Sequence, residues 1–193
     1  LYLWSMKNIA VFASGSGSNA ENLVNYFKSH PLARIHLVIS NRKHAFVLER
    51  MKRLGVPAFF ISKEDFSNGK LLALLRDEKV DLIVLAGFLM LVPPSLLEAY
   101  PKKIVNLHPA LLPKFGGKGM YGMHVHEAVV QAREKKTGIT IHYVDERFDE
   151  GEIIAQFETD VLPDDSPEAV AQKIHELEMK NFPGVVERVI KNV

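Results

Sequence analysis

Lys7-Asn8-Ile9-Ala10-Val11-Phe12-Ala13-Ser14-Gly15-Ser16-Gly17-Ser18-Asn19 reads as a strand, a tight turn and the start of a helix. Residues 9–13 are apolar without alternation, which marks a strand covered on both faces. The two glycines let the chain turn sharply. A helix that opens there aims its free N–H groups and positive dipole end at whatever lies beyond the turn. The same rhythm continues outward from this stretch. Strands are expected over 7–13, 34–40, 58–61, 81–86 and 103–107, with helices over 19–29, 45–54, 68–78 and 94–99. Short apolar strands alternating with amphipathic helices give an α/β fold: a doubly wound, mostly parallel sheet in a Rossmann-like three-layer α/β/α arrangement.

The second half changes character. Residues 109–123 hold four glycines and two prolines and read as an irregular loop. A helix over 124–135 and strands over 138–144 and 153–158 follow. Asp164-Asp165-Ser166-Pro167-Glu168 then starts a last helix with acids, a Ser cap and Pro at the first helical position. That helix runs towards Lys191, with a kink or break expected at Pro183. No linker separates the halves, so residues 6–193 are expected to form one domain, with 1–5 a leader or remnant.

Composition bounds the function. Among 193 residues, Lys plus Arg number 24 and Asp plus Glu 23. The formal net charge of +1 argues against a strongly basic nucleic-acid or membrane-surface binder. The longest apolar run, Leu82 to Val92, has 11 residues, short of the roughly 18 that a spanning helix needs. Cysteine is absent, which excludes disulfides, thiolate metal sites and a Cys nucleophile and fits a reducing cytoplasm.

Three features carry chemistry. The loop Ser14 to Asn19 suits a phosphate or other anion; the bland alternative is a turn capped by Ser18 or Asn19. The spacing Gly15-x-Gly17-x-x-Ala20 also matches a dinucleotide fingerprint, so an NADP-dependent reductase using Arg42 is a rival reading. Second, Ile104, Asn106 and His108 share one face of a strand, and Val105 and Leu107 the other. An amide and an imidazole thus stand together at a strand end, where doubly wound sheets bind ligands. Asn106 can donate to a developing oxyanion, and His108 can move a proton near neutral pH. Third, Asp145, Glu146, Asp149 and Glu150 crowd the loop between two strands, and one of them could raise the His108 pKa. His124, His126 and His142 match no zinc spacing.

These residues together resemble the phosphoribosylglycinamide formyltransferases, a folate-dependent family. Four stretches carry the resemblance: Ser14-Gly15-Ser16-Gly17-Ser18-Asn19, Leu85-Ala86-Gly87-Phe88, Asn106-Leu107-His108-Pro109-Ala110-Leu111-Leu112-Pro113, and Asp149-Glu150-Gly151 with Ile153-Ile154. The resemblance implies formyl transfer from 10-formyltetrahydrofolate, as co-substrate, to the amine of glycinamide ribonucleotide in purine synthesis. It implies no metal, no nucleic acid and no membrane, and leaves a homodimer open. Asn106, His108 and Asp149 would be catalytic. Gly17, Ser18, Asn19 and Glu178 would bind the ribonucleotide. Leu89, Met90, Leu91, Val92, Asn106, Asp145, Glu146, Arg147 and Phe148 would bind the folate. The segment Gly116 to Met123 is longer than the family pattern and is expected as a flap beside the phosphate. Methionyl-tRNA formyltransferase and formyltetrahydrofolate hydrolase are the rivals within the formyl-using group; each would be expected to carry a further domain.

Overall fold

The computed structural model describes residues 6–193, and the segment 1–5, expected as a leader or remnant, lies outside them. Five parallel strands, β1 (Lys7–Phe12), β2 (Ala33–Ser40), β3 (Ala58–Phe60), β4 (Leu82–Ala86) and β5 (Ile104–His108), alternate with helices. The helices are α1 (Ser18–Phe27), α2 (Phe46–Leu54), α3 (Lys63–Ser67), α4 (Lys70–Asp77) and α5 (Pro94–Ala99). After α6 (Met123–Gln131), two antiparallel strands, β6 (Lys136–Tyr143) and β7 (Ile153–Asp160), extend the sheet, and α7 (Pro167–Ile190) closes the chain. The sheet order is β3-β2-β1-β4-β5-β6-β7. The chain winds one way from β1 to β3 and the other way from β4, so a crevice opens where β1 and β4 lie side by side.

Side-chain alternation along the strands separates two cores. Ile9 and Val11 join α1, α2 and α7 on one face; Ala10 and Phe12 join α3, α4 and α5 on the other. The expected doubly wound, three-layer arrangement is therefore what forms. The helix expected over 68–78 forms as α4, and a short helix not expected from the sequence, α3, precedes it. Ser62 caps α3 by accepting from the Asp65 N–H at 3.1 Å, and Gly69, at φ +91°, opens α4.

Of the kink or break expected at Pro183, the break does not form: the last helix runs through it. A proline at this position leaves the carbonyl of Met179, four residues earlier, without its N–H donor. Asn22 of α1 supplies a replacement, its Nδ2 donating to that carbonyl at 2.9 Å. The apolar stripe Phe182, Pro183, Val185, Val186, Val189 and Ile190 stays buried through the site. A neighbouring helix thus repairs locally what the proline removed. Asn22→Leu should leave the carbonyl unpaired and cost roughly 1–3 kcal/mol, read as a fall of several degrees in Tm by calorimetry; an unchanged Tm would exclude this role for Asn22.

Candidate active site

The loops after β1, β4 and β5 surround a cavity of about 590 Å³. Ser14 ties its walls together. Its Oγ donates to Asn41 Oδ1 at 2.6 Å and accepts from the Leu89 N–H at 2.9 Å, while its own N–H reaches the Gly87 carbonyl. Ser14 is therefore a knot between three strand ends, and its hydroxyl is committed to that knot.

Gly15 to Asn19 line the cavity. Gly17 takes the N-cap position of α1 at φ +75°, and no side chain caps the helix. The alternative of a turn closed by Ser18 or Asn19 is not what forms, so the first-turn N–H groups stay free for an anion. A Cβ at Gly17 would lie 2.3 Å from Val47 of α2, so both conformation and space demand glycine. Asn19 instead turns to α7, its Nδ2 donating to Glu178 Oε2 at 2.9 Å. Burial raises the Glu178 pKa, while Asn19 and His175 pull it back in part.

Asn106 and His108 project into this same cavity, as the period of two along β5 requires, whereas Val105 and Leu107 join the opposite core. A shared partner holds them. Asp149 Oδ1 accepts from Asn106 Nδ2 at 3.3 Å, and Asp149 Oδ2 lies 3.4 Å from His108 Nδ1. Oδ2 also accepts from the Gly117 N–H at 2.9 Å. Asp149 itself sits at φ +57°, a left-handed conformation that aspartate tolerates better than most residues. The flap approaches it so closely that a Cβ at Gly116 would lie 3.2 Å from Asp149 Cβ.

His142 completes the group. It faces Asn106 across the β5–β6 ladder. Its Nδ1–H donates to the Tyr143 carbonyl at 2.8 Å, which leaves Nε2 to accept from Asn106 Nδ2 at 3.1 Å. Both amide hydrogens of Asn106 thus have partners. An oxyanion would displace the longer of the two bonds, the one to Asp149.

The electrostatics are a contest between burial and pairing. Burial favours a neutral Asp149, but His142, His108 and the Gly117 N–H together hold its carboxyl below the usual range. For His108 burial wins and lowers the pKa; Asp149 and the Phe115 carbonyl, which accepts from Nε2 at 2.8 Å, oppose it. The expectation that the loop carboxylate raises the His108 pKa holds for the carboxylate's own contribution and fails for the net shift.

The remaining expected residues divide. Leu89, Met90, Leu91, Val92, Arg147 and Phe148 line the same cavity as Gly15 to Asn19. Leu89, Leu91 and Phe148 are exposed at its mouth, and Val92 is buried. Asp145 and Glu146 do not line it. Asp145 Oδ1 accepts from the Arg147 N–H in a local turn instead. Glycine-rich residues 117–122 form one wall, with Lys118 on it.

Sequence reading missed His126 and the part played by His142. Both are buried and line the cavity. The cue for His142 was present: Ile139 and Ile141 face the opposite core, which puts Thr140 and His142 on the Asn106 side. Among the described residues no group of three or more His, Asp or Glu is placed to hold a metal ion. No helix there is long and apolar enough to cross a membrane.

Comparison with known proteins places this geometry. The family described as formyl transferase matches residues 7–186. Phosphoribosylglycinamide formyltransferase of Bacillus subtilis (strain 168) is 38% identical over 96% of this chain and 95% of its own length. The chloroplastic Arabidopsis thaliana enzyme of the same name is also 38% identical; this chain spans 64% of it. The crystal structure of glycinamide ribonucleotide transformylase 1 from Geobacillus kaustophilus superposes with a TM-score of 0.87 at 39% identity, covering 96% of this chain and 99% of that one.

Asp149→Asn tests the electrostatic reading. The carboxylate raises the His108 pKa against burial. Its removal should therefore move the His108 titration to lower pH, so that the imidazolium is lost earlier as pH rises. Imidazole-nitrogen NMR of the two proteins checks this, and an upward shift would contradict it.

Proposed function

The chain belongs to the formyl transferase family, and on that premise we propose that it transfers a formyl group from 10-formyltetrahydrofolate to the amine of glycinamide ribonucleotide in purine synthesis. The observation that carries the reading is the pairing of Asn106 and His108, bridged by Asp149, in the cavity that also receives the uncapped start of α1.

The ribonucleotide phosphate sits on Gly17, Ser18 and Asn19, where free N–H groups and the helix dipole favour a dianion. Glu178, fixed to Asn19, takes the ribose or amine side. The pterin lies against Leu89, Met90, Leu91 and Val92, with Arg147 and Phe148 across the mouth. These apolar walls remove water from the reacting centre and strengthen each charge interaction there.

The amine lone pair attacks the formyl carbon, and the carbonyl electron pair moves to oxygen. Asn106 Nδ2 donates to that oxyanion. Such a donor contributes about 3–4 kcal/mol to comparable transition states. The attacking nitrogen then releases a proton, the oxyanion pair returns as the carbon–N10 bond breaks, His108 gives N10 a proton, and tetrahydrofolate leaves. Asp149 holds the charged imidazole in place. A depressed pKa makes His108 a stronger acid but a less populated one, a balance that general acids near neutral pH strike.

The NADP reading finds little support. A dinucleotide extends from the glycine turn over the end of the second strand. The cavity runs the other way, over β4, β5 and β6, and none of its lining residues comes from β2. Mixing the protein with glycinamide ribonucleotide and 10-formyltetrahydrofolate separates the readings. Folate absorbance should change only when the amine is present; change without it means hydrolysis, and NADPH binding without a folate response means a reductase. His108→Ala should lower kcat by about 10²–10⁴ with little effect on affinity for the ribonucleotide. Retention of the full kcat would remove His108 from the mechanism.

A further inference from the structure

One histidine in the cavity has no structural account. His126 lies on the buried stripe of α6, with Val125 and Val129. It is 6% exposed, and its Nδ1 is buried without a hydrogen-bond partner. An unpaired buried nitrogen costs roughly 1–3 kcal/mol, and an aliphatic side chain would fill such a stripe without that cost. Two residues earlier, His124 is exposed and pairs with Glu127 at 3.6 Å, as a surface histidine does. His126 makes no ion pair among the described residues, yet it lines the same cavity as His108.

Its place in the fold suggests its side of the reaction. Helix α6 packs on α7, and α7 carries Glu178, which is bonded to Asn19 at the start of α1. His126 therefore enters from a helix packed on α7, while His108 and Asp149 enter from the sheet and the loop after β6. The two rings also differ in their neighbours. Both nitrogens of His108 face acceptors, the Phe115 carbonyl and the Asp149 carboxylate, so its charged form is provided for. His126 has no hydrogen bond or ion pair to hold a second proton on the ring, and its Nδ1 is buried without a partner. Paired titratable groups in unlike environments divide acid and base work between them.

We propose that His126 is the base of the transfer, its Nε2 taking the proton that the attacking amine releases. This rests on the formyl-transfer reading. The nitrogen–carbon bond forms and the carbonyl pair moves to oxygen. The amine N–H bond then breaks, and its proton goes to His126. The oxyanion pair returns, the carbon–N10 bond breaks, and N10 takes the proton of His108. Water in the emptied cavity carries the proton from His126 back to His108. One proton has moved, in net, from the amine to N10.

The titratable groups sharing the cavity with His126 are His108 on β5, His142 on β6, Asp149, Glu178 on α7, Lys118, Tyr121 and Arg147. Burial lowers the His126 pKa, and His108 lowers it further. A base must be neutral and the acid His108 charged, so kcat should rise with pH as His126 loses its proton and fall again as His108 loses its own.

The test uses the full chain with glycinamide ribonucleotide and 10-formyltetrahydrofolate across pH 5.5–9, that range being about two units around the ordinary imidazole value. His126→Gln should lose about 10²-fold in kcat with KM for both substrates little changed, and the acidic limb of kcat should shrink to the titration of the substrate amine alone. Added imidazole should restore turnover to His126→Ala. A kcat close to wild type, a loss confined to the ribonucleotide KM, or an unaltered acidic limb would overturn the proposal. Should neither variant fold, imidazole-nitrogen NMR of the wild type decides: a His126 Nε2 resonance that shifts when glycinamide ribonucleotide binds supports the proposal, and an unmoved resonance overturns it. A wild-type protein that transfers no formyl group fails the functional reading itself, an outcome distinct from any of these.

Discussion

The Asp149 carboxylate is the point on which the site converges. Its two oxygens meet an amide from β5, an imidazole from β5, a backbone N–H from the flap and the edge of an imidazole on β6. An aspartate can do this only from a left-handed backbone position, with a glycine opposite it at 116. The flap, the catalytic strand and the antiparallel extension of the sheet are thereby fixed relative to one another by a single charged group. Removing one partner of such a buried charge costs far more than the net worth of the contact, because the rest of the group is left unpaired.

The second constraint is topological. A reversal of winding between β1 and β4 opens a crevice at the strand ends, and Ser14 holds that crevice at a set width through β2 and β4. The uncapped start of α1 brings a positive dipole to the cavity. Exposed Leu89, Leu91 and Phe148 add apolar surface to its lining. A substrate with a phosphate at one end and an aromatic co-substrate beside it suits this lining. On the proposed reading, binding and chemistry are divided between the two halves of the chain: phosphate to the parallel half, proton transfer to the β5–β6 junction and the walls around it.

Much was legible in the sequence because it depends on short-range periodicity. Unalternating apolar runs gave the parallel strands, and the period of two along residues 104–108 put Asn106 and His108 on one face. The glycine turn before α1 was legible because few other residues adopt the backbone it needs. What the pattern could not give was any quantity set by a partner distant in the chain. Nothing near Pro183 says that Asn22 will satisfy the Met179 carbonyl. Composition and periodicity over 145–150 do not distinguish Asp149 from its acidic neighbours; only the family resemblance singles it out, and Asp145 and Glu146 lie off the cavity.

The sequence by itself determined the α/β winding, the anion-ready turn and the placing of an amide and an imidazole side by side, since each follows from backbone geometry over a few residues. Only the tertiary structure decided which carboxylate bridges them, that burial outweighs that carboxylate in setting the His108 pKa, and that His126 faces the same cavity. Those outcomes depend on desolvation and on contacts across 30 or more residues, which are properties of the packed solid and not of any local stretch of chain.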